Sequence, residues 1–143
     1  ARDVFFIGRG LSVPIAYEGS LKFKEISYIH SEAYPGGELK HGTLSLIQDG
    51  VPVIAIAPDD ETAPKLIGNI KETKARGAVV ISITDNADVK KESDYVIELP
   101  KIDKDLYPFA EIIPLQLLAY HVSVLRGNNP DKPRNLAKSV TVE

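Results

Sequence analysis

Residues 51–84, VPVIAIAPDDETAPKLIGNIKETKARGAVVISIT, decide the fold of this chain. Two short apolar runs, VPVIAIAP at 51–58 and AVVISIT at 78–84, have the length and composition of buried strands. The residues between them predict an amphipathic helix that starts with acidic residues and stops at Gly77. Strands that are apolar throughout are typical of a parallel sheet covered on both faces, so the stretch predicts a strand–helix–strand unit.

Further strands are predicted on both sides of this unit. The DVFFIG run near the start of the chain, which ends in Gly8, predicts a buried strand, and DYVIELP at 94–100 predicts another. The short extended EAY piece, followed by Pro35 and Gly36, is a weak candidate for a fifth strand.

Helices are predicted between the strands. A long helix is expected from about 14 to 30, with Ser12 as a possible amino-terminal cap, and ELKHGTLSLI predicts a shorter one. A mostly apolar helix is expected at 107–127, in which Pro114 either starts the main part or introduces a kink. Strands that alternate with helices predict one three-layer α/β domain with a five-stranded parallel sheet, whose ligands lie outside the carboxyl ends of the strands.

Composition excludes several classes of function. The chain has 143 residues, 43% hydrophobic residues and a net charge of −3 without a basic stripe, which argues against nucleic acid as a partner. It has no cysteine, hence no disulfide and no thiol nucleophile. No apolar run approaches the roughly 20 residues that span a bilayer, so no membrane partner is expected. The start without methionine indicates a piece of a longer protein, and a cytoplasmic location is the simplest interpretation.

The three histidines lack the spacing of a metal site, and no metal is expected. His30 and His121 have apolar neighbours and are interpreted as packing residues. His41 lies between glycines in GELKHG, where it would be accessible for proton transfer near neutral pH, although a lone histidine is more often structural. The GRG at 8–10 lacks the third glycine of a dinucleotide fingerprint and is interpreted as a tight turn.

Charged residues on the long helix and in the tail are further candidates. Lys22 and Glu25, three residues apart, share a helix face and form either an exposed ion pair or a general base with its cationic partner. Local reasoning does not prefer Glu25 to Glu18. Lys138 lies in the ending PRNLAKSVTVE, and an amine there is either solvated or available for a Schiff base with a carbonyl substrate.

Three stretches carry a specific resemblance. KEISYIHSEAYPGGELKHG, together with PLQLLAYHVSVLRG and the ending PRNLAKSVTVE, resembles the second sugar-isomerase (SIS) half of the glutamine–fructose-6-phosphate aminotransferase family, essentially from end to end. The resemblance implies a flavodoxin-like SIS fold over 1–143 with a catalytic tail at about 128–143. It implies that the full enzyme makes glucosamine 6-phosphate from fructose 6-phosphate and glutamine, uses no metal or organic cofactor and forms a homodimer.

The resemblance also implies roles for individual residues. Glu25 corresponds to the base that moves a proton between sugar C1 and C2, and Lys22 to the lysine that assists it. His41 corresponds to the histidine that promotes ring opening in the site of a neighbouring subunit. Lys138 corresponds to the Schiff-base lysine, and the backbone around Ala137 lies against the sugar. The family's glutaminase domain and first SIS half are absent from this sequence, so we expect no synthesis by this chain alone.

Three other interpretations of the function are also consistent with the sequence. A different SIS enzyme, such as a phosphosugar isomerase or a deglycase, would share the fold without needing a lysine-bearing tail. A sugar-phosphate-binding regulatory module would not need Glu25. A scaffold whose role is dimerisation would need neither.

Overall fold

A computed structural model describes residues 1–137 and contains one five-stranded sheet. The strands are β1 (Asp3–Gly8), β2 (His30–Pro35), β3 (Pro52–Ile56), β4 (Val79–Thr84) and β5 (Tyr95–Glu98). Every neighbouring pair is parallel, and the order across the sheet is β2-β1-β3-β4-β5. The predicted parallel α/β fold is confirmed, and the weak fifth strand is a full edge strand paired with β1 along its whole length.

Four α-helices cover the two faces of the sheet. They are α1 (Ser12–Ser27), α2 (Ala63–Lys74), α3 (Ala87–Glu92) and α4 (Tyr107–Leu125). On β1, Phe6 packs with residues of α1 and α4, whereas its neighbour Ile7 packs with residues of α2 and α3. Because successive strand side chains point to opposite faces, one continuously apolar strand supplies both cores. The three predicted layers are therefore present.

The segment after β2 differs from its prediction. ELKHGTLSLI was expected to be one helix, but the chain forms two short 3₁₀ helices, Gly36–His41 and Thr43–Leu46. Gly42 separates them with a φ of 147°, a backbone conformation that an α-helix cannot contain. We refer to Gly36–His41 as the His41 turn.

The ends of α1 also differ from the prediction. Ser12 is the first residue of the helix rather than its cap, and its hydroxyl donates to Glu111 of α4 and accepts no hydrogen bond from a helix N–H. The helix ends at Ser27 because Tyr28 takes the left-handed conformation, with φ 58° and ψ 24°. The predicted length of α1 was therefore three residues too long at its carboxyl end.

The helix α4 is long and apolar. It continues through Pro114, which therefore does not start it, and Gly127 follows it with a φ of 76°. The segment Lys104–Leu125 is long and apolar enough to cross a membrane, but core helices of soluble proteins pass the same test. Leu115 and Ala119 are fully buried in the core. The opposite side of α4 exposes large apolar side chains, including Phe109, Ile113, Leu117 and Val124.

Candidate functional site

The last turns of α1 carry a cluster of three charged side chains. Lys22 Nζ donates to Glu25 Oε2 at 2.6 Å and lies 3.6 Å from Glu18 Oε1. The three residues share one helix face because they are four and three positions apart. The hydrogen bond to Glu25 raises the pKa of Lys22, so this lysine stays protonated and orients the carboxylate. Lys24 is exposed and makes no ion pair within residues 1–137, which separates it from Lys22.

The carboxyl end of α1 is fastened to the end of α4. Ser123 Oγ donates to the Ile26 carbonyl at 2.8 Å. The Asn128 side-chain amide donates to the carbonyls of Ile26 and Ser27, at 3.3 and 3.2 Å. These carbonyls belong to the last turn of α1, where a helix leaves its acceptors without helical partners. The backbone beside Glu25 is thus held by the element that precedes the tail.

The described part of the tail also contacts the carboxyl end of α1. The Arg134 N–H donates to the Tyr28 hydroxyl at 2.9 Å, and the Arg134 guanidinium lies 4.2 Å from the centre of the Tyr28 ring. Ala137, the last described residue, is exposed. Lys138 lies outside the described residues. The described part of the tail therefore reaches a residue only three positions after Glu25.

His41 is exposed on a well-supported turn. Its side chain is 75% exposed, and Nε2 lies 4.0 Å from Glu38 Oε2. Leu39 of the His41 turn is fully buried, and the neighbouring Lys40 pairs with Glu72 of α2 at 2.8 Å. The burial of Leu39 and the ion pair of Lys40 hold the His41 turn against α2, while His41 itself faces solvent.

Close packing at the start of the His41 turn adds to this support. A Cβ on Gly36 would lie 2.5 Å from Asn69 Oδ1 and 3.0 Å from Leu66. Asn69 Oδ1 in turn accepts a hydrogen bond from Arg9 Nε at 3.0 Å. The arginine of the GRG turn therefore fixes the amide against which the His41 turn packs. A sequence pattern does not reveal this role, because Arg9 and Asn69 are 60 residues apart.

Glu25 and His41 lie at opposite ends of the parallel strands. We call the end where the strands begin the amino edge and the end where they finish the carboxyl edge. Helix α1 starts at the carboxyl edge, after β1, and ends next to the start of β2, at the amino edge. Glu25 is in its last turn, whereas His41 follows the carboxyl end of β2. A six-residue strand spans about 20 Å. One chain therefore brings Lys22 and Glu25 together with the start of the tail, but does not bring His41 to them.

The carboxyl edge of the sheet, where ligands were expected, is acidic. Asp85 Oδ1 accepts the Asp59 N–H at 2.8 Å, and Asp85 Oδ2 accepts the Tyr107 hydroxyl at 2.7 Å. Burial, together with the Asp85 hydrogen bond, raises the pKa of Tyr107, so its hydroxyl stays protonated. Asp59 and Asp85 therefore place two carboxyl groups after β3 and β4, while the Arg9 guanidinium follows β1 at the same edge.

Glu111 is a buried carboxyl that sequence reasoning missed. Its side chain is fully buried, Oε1 accepts the Ser12 hydroxyl at 2.8 Å, and Oε2 has no hydrogen-bond partner among the described residues. Burial raises the pKa of Glu111 to about 7. A glutamate between apolar residues of a helix is the only signal in the sequence, and that signal does not indicate a partner 99 positions away.

The other two histidines are not packing residues, so that interpretation was wrong. His30 is exposed on the edge strand β2, and its Nδ1 lies 2.8 Å from Asp3 Oδ1. His121 is exposed on α4 beside Tyr120. Apolar sequence neighbours do not imply burial here because adjacent residues of a strand or helix point in different directions. Within residues 1–137, no group of three or more histidine, aspartate or glutamate side chains could hold a metal ion.

Comparisons with known proteins agree with this geometry. The model of the SIS domain family matches residues 1–126. The glutamine–fructose-6-phosphate aminotransferase (isomerizing) of Thermococcus kodakarensis is 59% identical over 142 residues, which are 99% of this chain and 24% of that protein. The chain thus spans about a quarter of the length of this curated relative.

Solved structures give the same picture. The C-terminal domain of glucosamine-fructose-6-phosphate aminotransferase from Francisella tularensis superposes with a TM-score of 0.85 and 45% identity, over 92% of this chain and 38% of that one. A glucosamine-6-phosphate deaminase from Thermotoga maritima superposes with a TM-score of 0.71 but only 28% identity, over 97% of this chain and 40% of that one. The similarity in sequence is therefore much greater to the aminotransferases than to this enzyme of another activity.

Proposed function

Because the chain belongs to the SIS domain family, we propose that it is the second SIS half of a glutamine–fructose-6-phosphate aminotransferase. In this proposal residues 1–143 form one domain, and about 128–143 are its catalytic tail. The observation that carries the proposal is the position of the tail, which is anchored by Arg134 beside the turn of α1 that holds Lys22 and Glu25. The 59% identity to an aminotransferase over nearly the whole chain supports it.

Glu25 is the base of the isomerisation in this proposal. A carboxylate that moves a proton from C1 to C2 of the open-chain sugar must lie within hydrogen-bond reach of both carbons. Lys22 holds the Glu25 carboxylate in place by a 2.6 Å hydrogen bond. Both side chains are about 30% exposed, so a substrate can reach them.

Lys138 binds the sugar in this proposal. Its neutral amine adds to the C2 carbonyl of open-chain fructose 6-phosphate, and water leaves as the imine forms. Ammonia then replaces the Lys138 amine at C2, which releases the lysine, and the resulting imine is a stronger electron sink than the ketone, so the C1 proton is easier to remove. Lys138 lies four positions after Arg134, and four extended residues span at most about 14 Å. Glu25 lies three positions before Tyr28, where Arg134 is anchored, so it is within reach, and the backbone around Ala137 lies along the sugar.

The active enzyme is a homodimer in this proposal. Because His41 and Glu25 lie at opposite sheet edges of one chain, His41 serves the site of a neighbouring copy, where it moves the proton of ring opening. The exposed apolar side chains of α4, such as Phe109 and Leu117, supply surface for contacts with the rest of the enzyme or with the second copy. We place the enzyme in the cytoplasm, where sugar phosphates are held by their charge.

The remaining parts of the reaction belong to the longer protein. A glutaminase domain supplies ammonia, and a first SIS half supplies the main phosphate-binding residues. The carboxyl groups of Asp59 and Asp85 at the carboxyl edge of this sheet support the view that the phosphate binds elsewhere. Removal of the other domains is expected to abolish glucosamine 6-phosphate formation by this chain.

Two substitutions by glutamine, at neighbouring positions, test the proposal. In the full-length protein, Glu25→Gln is expected to lower kcat for glucosamine 6-phosphate formation by about 10²–10⁴, because an amide cannot accept the C1 proton. Lys24→Gln, on an exposed neighbour, is the matched control and should leave kcat unchanged. Steady-state assays of both variants decide the matter. Full turnover in Glu25→Gln would remove Glu25 as the base, and unchanged turnover in Lys138→Arg would remove Lys138 as the Schiff-base residue.

A further inference from the structure

Tyr28 has a backbone conformation that its residue type does not favour. It follows the last turn of α1 with φ 58° and ψ 24°, in the left-handed region. Glycine or asparagine usually occupies this position after a helix, because a Cβ is strained there. A non-glycine residue kept in this region is often found where the side chain has a task that outweighs the strain.

The Tyr28 side chain makes two different contacts with the tail. Its hydroxyl accepts the Arg134 N–H at 2.9 Å, and its ring face lies 4.2 Å from the Arg134 guanidinium. The first contact needs an oxygen acceptor, and the second needs an aromatic face. Tyrosine provides both, whereas phenylalanine provides only the ring and glycine provides neither.

The chain on either side of Arg134 is shaped around this contact. Before it, Asn128 is fastened to the carbonyls of Ile26 and Ser27, so residues 128–134 leave and return to the same end of α1. After it, Asn135 has a φ of 61° and turns the chain. Asparagine tolerates this conformation better than most residues. The start of the terminal segment is therefore fixed in position and in direction.

We propose that Tyr28 is a positioning residue, which clamps Arg134 and so holds the carboxyl-terminal segment at the Glu25 end of α1. The catalytic meaning of the clamp rests on the function proposed above, because only that function gives the terminal segment a role in chemistry. The clamp raises the effective concentration of the terminal residues at the site without contacting the sugar. Tyr28 thus acts through Arg134, from a position three residues after Glu25 and directly after the end of α1.

The clamp itself is tested on the chain, without substrate. Tyr28→Gly is the sharpest variant, because glycine relieves the left-handed strain while both contacts are lost. Hydrogen exchange followed by mass spectrometry is expected to show about tenfold faster exchange in a peptide covering 128–137, with unchanged exchange in β1 and β3. Tyr17→Phe, at an exposed tyrosine within α1, is the control and should change neither. Unchanged exchange at 128–137 in Tyr28→Gly would overturn the clamp.

The catalytic role is tested in the full-length protein. Tyr28→Gly is expected to lower kcat/KM for fructose 6-phosphate about tenfold and to leave the pH profile unchanged, since no proton-transfer group is altered. Tyr28→Phe should have a smaller effect, because it keeps the ring over Arg134. Combining Tyr28→Gly with Arg134→Gln should add little to either single substitution, as expected for two partners of one contact.

The outcomes separate this inference from the proposed function. Faster exchange at 128–137 with an unchanged kcat/KM would overturn the positioning role while leaving the contact in place. Additive effects of the two substitutions would also overturn it, since the residues would then act independently. Failure of the proposed function would appear differently, as full turnover in Glu25→Gln, whatever Tyr28→Gly does to the tail.

Discussion

At the scale of single residues, neighbours decide which charged groups have special properties. Lys22 lies between Glu18 and Glu25, and the hydrogen bond to Glu25 raises its pKa, so it serves as a fixed cation rather than a nucleophile. Lys24, two positions away, faces solvent. Glu111 is the opposite case, because burial favours its neutral form. The residue type alone distinguishes none of these.

Glu111 gives the chain a pH-dependent stability. Its pKa is about 7 in the folded chain against 4.5 for an ordinary glutamate, so between these values the folded state binds more protons than the unfolded state. The free energy of unfolding therefore falls as pH rises from 4.5 to about 7, by about 3 kcal/mol in total. Glu111→Gln should remove this fall and be more stable than the natural chain at about pH 8.

Urea denaturation at a series of pH values measures the effect of Glu111→Gln. Glu61→Gln, at an exposed position, is the matched control and should follow the natural chain. A parallel pH dependence in the Glu111→Gln variant and the natural chain would mean that Glu111 is ionised in the fold.

At the scale of elements, the His41 turn depends on close packing rather than on helix propensity. Gly36 lies so close to Asn69 and Leu66 that a side chain does not fit, and Leu39 is buried in the core under α2. The segment has helix-forming residues, but Gly42 and the contacts with α2 give it two short 3₁₀ helices instead. The position of His41 is thus set by α2, an element that follows it in the chain.

Two glycine substitutions separate packing from propensity. Gly36→Ala is expected to destabilise the chain by about 1–3 kcal/mol, because its Cβ would meet Asn69 Oδ1 at 2.5 Å. Gly68→Ala, inside α2 with no atom within 4 Å of its Cβ, should instead stabilise the chain by about 0.5–1 kcal/mol. Thermal unfolding of both variants measures the difference. Equal stability of the two would show that the His41 turn adapts to a side chain at position 36.

At the scale of the whole molecule, the sheet separates the two halves of the proposed site. Glu25 and the Arg134 anchor of the tail lie at the amino edge, and His41 lies beyond the carboxyl edge. About 20 Å of strand separates them, too far for both to contact one sugar. A complete site in the proposed enzyme therefore needs two copies of the chain.

Mixed dimers test this requirement. In the full-length protein, Glu25→Gln and His41→Asn should each be nearly inactive alone. When the two variants are co-expressed, half of the dimers are mixed and each has one intact site, so activity should return to about a quarter of the natural value. Measured glucosamine 6-phosphate formation checks this. Activity that stays at the level of the single variants would mean that His41 and Glu25 serve the same chain or that one of them has no role.

Local patterns predicted most of the fold and only part of the site. The strands β1, β3 and β4 could be predicted from their apolar runs, because a strand buried on both faces is apolar throughout. The sequence signal for the edge strand β2 was weaker than for these strands, because only one face of β2 is well covered and His30 and Glu32 point outward. Lys22 and Glu25 could be paired from their spacing on α1, since helix geometry is local.

Partners distant in the chain could not be predicted in this way. Ser12 joins Glu111, Arg9 supports Asn69, and Arg134 docks on Tyr28, across 99, 60 and 106 positions. Hydrogen bonds of this kind depend on how helices and turns meet in space, and no periodicity in the sequence records that.

The sequence by itself determined the layered parallel fold, the pairing of Lys22 with Glu25 and the family resemblance, because these depend on residue order and local geometry. The tertiary structure alone decided that the tail returns to the end of α1, that the carboxyl edge is acidic, and that His41 lies across the sheet from Glu25. The physical reason is that these relations arise from packing of whole elements, in which burial and hydrogen bonding join residues that the chain keeps far apart.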